Sequence, residues 1–176
     1  MLDQSYSHVT LSEIPSDIPK AELYQHLVSQ VESLFAEEHD FIANLANFSA
    51  LIYQTLPNLN WVGFYLLRGD ELVLGPFQGK VACVRIPMGN GVCGTAAQKR
   101  ETIVVPDVHQ FPGHIACDSA SQSEVVIPLI NDGQLWGVLD LDSPHLNRFD
   151  GEDASGLEML ASRLMERTEI PSPNIQ

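Results

Sequence analysis

Residues 124–142 read EVVIPLINDGQLWGVLDLD. Two apolar runs rich in Val, Ile and Leu flank Asn131-Asp132-Gly133, a turn whose Asp-Gly pair tolerates the positive φ of a tight hairpin. The stretch is therefore an antiparallel hairpin. Residues 60–77 repeat the device, with NWVGFYLL, the turn Arg68-Gly69-Asp70 and ELVLGPF. Between the hairpins, a strand is predicted near 81–86, a glycine-rich turn with a short helix over 89–100, and a strand TIVVP at 102–106. Gly89-Asn90-Gly91-Val92-Cys93-Gly94 matches GxGxxG, the dinucleotide fingerprint. About seven residues separate Gly94 from TIVVP, whereas a parallel crossover needs a dozen or more. The sheet is thus expected to be mostly antiparallel, and the dinucleotide reading falls.

Helices bracket the strands. Asp17 is expected to cap a first helix with Pro19 in its opening turn and an apolar stripe of Leu23, Leu27, Val31, Leu34 and Phe35. Asp40 starts a second, with Phe41, Leu45, Phe48, Ile52 and Leu56 on one side and Pro57 as its stop. Asp150, with Asp153 three residues on, caps a final helix that turns Leu157, Leu160, Ala161 and Leu164 inward. The fold class is α+β: a mostly antiparallel sheet of about six strands, terminal helices on one face, and a loop-covered ligand pocket on the other. A single domain is expected over 17–168, after a flexible segment 1–16 and before a tail 169–176.

Charge narrows the partners. Nine Lys and Arg stand against 23 Asp and Glu, a net charge of −14. Nucleic acid and anionic membranes, which require basic clusters, are excluded as expectations. Residues 41–67 carry no charge, but their asparagines and Pro57 break any membrane span. No export signal is visible, and three cysteines without a CxxC pair suit a reducing cytoplasm.

Several constellations could carry chemistry. Cys83, Cys93 and Cys117 lack the spacing of a zinc site, leaving packing thiols or reactive ones. Cys93 stands at a helix start, where a thiol pKa is lowered. Cys117, within PGHIACD at 112–118, has His114 to lower its own pKa and Asp118 to oppose that. Alternation along residues 134–142 puts Trp136, Val138, Asp140 and Asp142 on one sheet face, and Leu135, Leu139 and Leu141 on the other. Glu124 opens the neighbouring strand. These acids either line a solvated face or share a pocket, where each raises the others' pKa and one is kept as a proton donor. Trp61 and Tyr65 are core residues or an aromatic wall. The glycines near Gly91 either only turn the chain or bring N–H groups to a ligand anion. The remaining histidines form no metal or triad pattern.

Taken in order, WVGFYLL, GPFQGKVACVRIPMGNGVCGTAA, VPDVHQFPGHIACDSASQSEVVIPL and GQLWGVLDLDS resemble the free methionine-(R)-sulfoxide reductases, stand-alone enzymes with a GAF domain. The resemblance covers about residues 20–168. It implies a GAF-like fold and a cysteine relay that reduces the R epimer of free methionine sulfoxide. By the same resemblance Cys117 would attack, with Cys83 and Cys93 as resolving positions in either order. Glu124 and Asp140 would supply the proton, while Trp61, Tyr65, Asp107, Asp142 and Gly91 would bind substrate. No metal or organic cofactor is expected. Recycling would fall to an external dithiol such as thioredoxin, and the terminal helices could pair two copies as a homodimer.

Overall fold

Apolar stripes along the long helices set the frame of the molecule, a computed structural model describing residues 17–115 and 117–170. The flexible leader expected at 1–16 and most of the tail expected at 169–176 lie outside the described residues. In order, the elements are α1 (Lys20–Leu34), α2 (Phe41–Thr55), β1 (Trp61–Arg68), β2 (Glu71–Gly79), β3 (Arg85–Pro87), α3 (Gly91–Lys99), β4 (Ile103–Val105), a 3-10 turn (Val108–Gln110), β5 (Ser123–Asn131), β6 (Gln134–Ser143) and α4 (Gly151–Arg167).

The strands form one sheet in the order β3-β2-β1-β6-β5-β4, with every pairing antiparallel. The two hairpins, β1–β2 and β5–β6, are joined at the centre by β1 against β6. Because β3 and β4 lie on opposite edges, α3 must cross the sheet face between them, which excludes a dinucleotide-type crossover.

One face is covered by α1, α2 and α4. Phe41, Leu45, Phe48, Ile52 and Leu56 of the α2 stripe are all buried against Val62 and Phe64 of β1 and Leu139 and Leu141 of β6. At roughly 1.5–3 kcal/mol per buried side chain of this size, this layer is the main source of stability. Asp40 accepts the Ala43 N–H at 2.8 Å, the cap its position predicted. Asp150 and Asp153 form a reciprocal capping box at α4. Asp153 is buried, accepts from the Tyr24 hydroxyl at 2.9 Å and pairs with Lys20 at 2.6 Å. Beside it the Tyr24 ring packs flat on Gly156, where a Cβ would come within 2.2 Å of the ring. The α1–α4 contact thus depends on a side chain having been omitted.

Four expectations change. Pro19, not Asp17, is the N-cap of α1, and no side chain caps that helix; Lys20 bonded to Asp150 and Asp153 ties the helix start down instead. The inward stripe centres on Tyr24, Leu27 and Val31, while Leu23 and Leu34 are only partly buried. The strand expected near 81–86 is confined to Arg85–Pro87, so residues 80–84 form a loop outside the regular strands. Finally, the β5–β6 register slips between Leu129 and Ile130, placing Trp136 as the extra residue. That bulge reverses alternation at the hairpin end. Trp136 packs on the helix side and Leu135 on the opposite side. Beyond the bulge the predicted faces hold. Among the described residues no helix is long and apolar enough to cross a membrane.

Candidate active site

On the face opposite the three long helices, β-strand alternation aims Glu124, Asp140 and Asp142 into one pocket. Glu124 pairs directly with Asp142 across β5 and β6, and Asp140 sits two residues along, opposite Val126. On the other side of β6, Gly63 of β1 faces Asp140 and Trp61 faces Asp142. Gly63 is needed there because a Cβ would lie 2.5 Å from the Trp61 ring. The indole folds over the glycine and stacks between Tyr65 (centroids 5.8 Å apart) and Phe77 (5.3 Å). The aromatic wall and the acid cluster therefore share one cavity.

The first turn of α3 closes it from above. Gly91 takes φ +61°, and a Cβ on Gly94 would lie 2.4 Å from the Pro87 carbonyl oxygen, so these two glycines let the helix start press against the strand before it. Asn90, Gly91 and Val92 line the pocket, and the N–H groups of a first turn have no partner within the helix. Cys93 is buried, with Sγ 3.9 Å from Glu124 Oε1. Its sulfur and the carboxylates of Glu124 and Asp140 lie within 4.8 Å of one another. That spacing could hold a cation, which would have to displace their protons.

Burial governs the electrostatics. It raises the pKa of Glu124, helped by the charge of Asp142, and that of Asp140, helped by Glu124. Half-buried Asp142 is raised by burial and by Asp140. Asp140 Oδ1 has no hydrogen-bond partner. A neutral carboxylic acid in such a place is a proton donor that lacks a recipient. The Cys93 thiol is also pushed well up, by burial first and then by Asp140 and Glu124. This overturns the activation expected of a cysteine at a helix start: here the acids outweigh the helix end, and the thiol stays protonated.

Cys83 and Cys117 are joined by a disulfide with Cα atoms 5.5 Å apart. Cys117 lines the pocket with the acids, whereas Cys83, in the 80–84 loop, is not part of the lining. Both loops are pinned. The Trp61 indole donates to the Lys80 carbonyl (3.1 Å) and the Tyr65 hydroxyl to the Cys83 carbonyl (3.0 Å). Lys80 Nζ reaches Asp118 at 3.3 Å, and Asn60 Nδ2 donates to Asp118 and Ser121. Those bonds, led by the Ala120 N–H, hold the Asp118 pKa low.

Two further expectations are corrected. Asp107 does not line this pocket; its carboxylate caps the 3-10 turn, accepting from the His109 N–H and the Gln110 amide. His114 does line it, but its ring faces Glu124 (Nε2 to Oε2, 3.6 Å), and burial lowers its pKa. It is thus a neutral partner of Glu124 and not an imidazolium for Cys117.

A GAF domain model matches residues 22–167. The free methionine-R-sulfoxide reductase of Escherichia coli K12 is 54% identical over 145 residues, 82% of this chain and 88% of that one. The X-ray structure of the Neisseria meningitidis free methionine-R-sulfoxide reductase in complex with its substrate superposes with a TM-score of 0.85 at 50% identity, covering 90% and 95% of the two chains. The chain belongs to the free methionine-R-sulfoxide reductase family. A protein from Burkholderia vietnamiensis described as a GAF sensor is also similar, with a TM-score of 0.83 at 61% identity over 86% of this chain and 96% of that one. The family resemblance and the GAF fold expected from the sequence both hold.

The fold gathers nine of the ten expected site residues at one place: Trp61, Tyr65, Gly91, Cys93, Cys117, Glu124, Asp140 and Asp142 in the lining, and Cys83 through its disulfide. Sequence reasoning missed Asn60, Lys80 and Ser121. Single polar residues beside turns carry no pattern, and their role exists only through contacts across about 40–60 positions of chain.

Proposed function

We propose that this chain reduces free methionine-(R)-sulfoxide to methionine by a thiol relay running from Cys117 to Cys83. One observation carries the reading. Cys117 lines a cavity with Glu124 and Asp140 and is joined to Cys83, the product such a relay leaves behind.

A sulfoxide sulfur becomes electrophilic when its oxygen accepts a proton. The protonated Glu124 and Asp140, kept neutral by burial, supply that proton. Cys117 attacks; the sulfoxide oxygen passes to its sulfur, methionine leaves, and a cysteine sulfenic acid remains. The Cys83 thiol condenses with it, forming the disulfide and releasing water. Of the two resolving positions open from the sequence, Cys83 is supported by its bond to Cys117, while Cys93 stays a buried thiol beside the acids. Trp61 would cover the substrate methyl. Half-buried Asp142 would accept its ammonium, whose positive charge opposes the burial that raises the Asp142 pKa, and the first turn of α3 at Gly91 would take its carboxylate.

In the disulfide form the cavity beside the acids has about 30 Å³ of room for water and is open to solvent. Reduction breaks the bond that ties the Cys117 loop to the 80–84 loop, freeing the attacking sulfur to approach a bound substrate. A dithiol such as thioredoxin supplies the two electrons, a cycle that suits a reducing compartment and uses no metal or organic cofactor.

The test follows NADPH oxidation with thioredoxin and its reductase on resolved R and S free methionine sulfoxide. Turnover on R alone is expected. Turnover on neither, with all thiols free at the start, would overturn the reading in favour of a GAF sensor without chemistry.

A further inference from the structure

We propose that the strip formed by residues 80–85 and Ile115 is the docking surface for a dithiol redox protein with an acidic rim, which reduces the Cys83–Cys117 disulfide by attack on Cys83. The inference rests on the reductase reading and names the surface its recycling step uses. Val81 is 88% exposed, Val84 63% and Ile115 37%. These apolar side chains bracket the two disulfide cysteines in sequence, Val81 and Val84 around Cys83 and Ile115 two residues before Cys117. Val81 and Ile115 also form part of the pocket mouth with Cys117, so the patch is continuous with the site. Apolar side chains left in water around a bond that must be broken from outside mark a place where another surface comes down.

Charge selects the partner. Residues 80–85 contain no Asp or Glu and hold Lys80 and Arg85, in a chain with net charge −14. Lys80 and Arg85 remain largely exposed while pairing with Asp118 and Glu71, so the strip carries no uncompensated negative charge. An acidic partner, repelled by most of this molecule, meets no such barrier here.

Geometry selects the sulfur. Cys117 faces the pocket, whereas Cys83 is half-buried outside the pocket lining, with exposed Val81 and Val84 on either side of it in the chain. A thiolate of the partner attacks Cys83 Sγ, forming a mixed disulfide and releasing Cys117 as the thiolate. The partner's second thiol then attacks its own sulfur in the mixed disulfide and frees Cys83, which takes up a proton. Two electrons pass to this chain, and the partner ends as a disulfide. The released group is the attacking thiol of the next cycle.

Val84 lies outside the pocket lining, so Val84→Glu and Val84→Ser test the surface without touching the substrate site. Methionine formation is measured with thioredoxin plus its reductase and NADPH, and separately with dithiothreitol, which needs no docking surface. Val84→Glu is expected to lower kcat/KM for thioredoxin at least fivefold, and Val84→Ser less. Dithiothreitol-supported turnover should stay within twofold of wild type in both. Equal losses with both reductants, or no loss with thioredoxin, would overturn the docking assignment alone. So would a dimer that Val84→Glu converts to monomer, since the patch would then seat a second copy. Wild-type protein inactive with both reductants would overturn the reductase reading and this inference with it.

Discussion

Cys117→Ser protein should lose turnover by at least about 10³-fold with either thioredoxin or dithiothreitol, because a hydroxyl cannot take oxygen from a sulfoxide and no other thiol is placed to do so. The buried Cys93 thiol lies 3.9 Å from Glu124 Oε1, but burial, Asp140 and Glu124 push its pKa well up and favour the thiol over the thiolate. Cys83→Ser should behave differently. It removes only the second step, so each chain forms one methionine rapidly and then stalls at the sulfenic acid. Dithiothreitol, which reduces that acid directly, restores multiple turnover. Rapid quench of enzyme mixed with excess substrate reads the difference as a burst of one methionine per chain in Cys83→Ser and none in Cys117→Ser. Loss of both burst and turnover in Cys83→Ser, with the protein folded, would mean that the first attack needs Cys83.

The second large effect is expected at Glu124. Glu124→Gln keeps the shape and a hydrogen-bond donor but cannot give up a proton, so kcat should fall by roughly 10²–10³-fold. The same change should make the protein more stable. Burial raises the folded-state pKa of Glu124 above its unfolded value. Such a group contributes stability that is fully present below the unfolded pKa and is lost as pH rises through the folded pKa. Glutamine carries no charge and escapes that loss. The variant is therefore expected to melt higher by about 2–4 °C at pH 8, for a gain on the order of 1 kcal/mol, and to converge with wild type as pH falls toward 4. Activity of wild type should decline over the same rise in pH, as the acids lose the proton they donate. A variant less stable than wild type at pH 8 would show that the Glu124 carboxylate is held by contacts that outweigh its burial cost. Stability given up at a catalytic acid is a common price of function.

Much of this architecture could be read from sequence because it depends on local rules. The Asp-Gly hairpin turn, the Asp40 cap, the capping box at Asp150 and the α2 stripe are each decided within a few residues, and each is found where expected. Alternation likewise places Asp140 and Asp142 on one face without reference to the rest of the chain, and Glu124 joins them through its pairing with Asp142. The errors arise where a distant contact overrides a local preference. Trp136 crosses to the helix side because β6 takes one extra residue against β5. Asp17 does not cap α1 because the helix begins at Lys20 with Pro19 as its N-cap. Cys93 has its pKa raised by two strands that the sequence of α3 cannot disclose. His114 turns from the cysteine three residues away toward an acid ten residues on, and Asp107 is taken by the turn it starts.

Identifying the first sulfur to be oxidised tests the account most directly. Reduced Cys83→Ser protein is mixed with one equivalent of free methionine-(R)-sulfoxide in the presence of a sulfenic-acid trapping reagent, and the labelled cysteine is located by peptide mass spectrometry. One methionine per chain and the label on Cys117 are predicted. A label on Cys93, or methionine formed while Cys117 remains a free thiol, would contradict it.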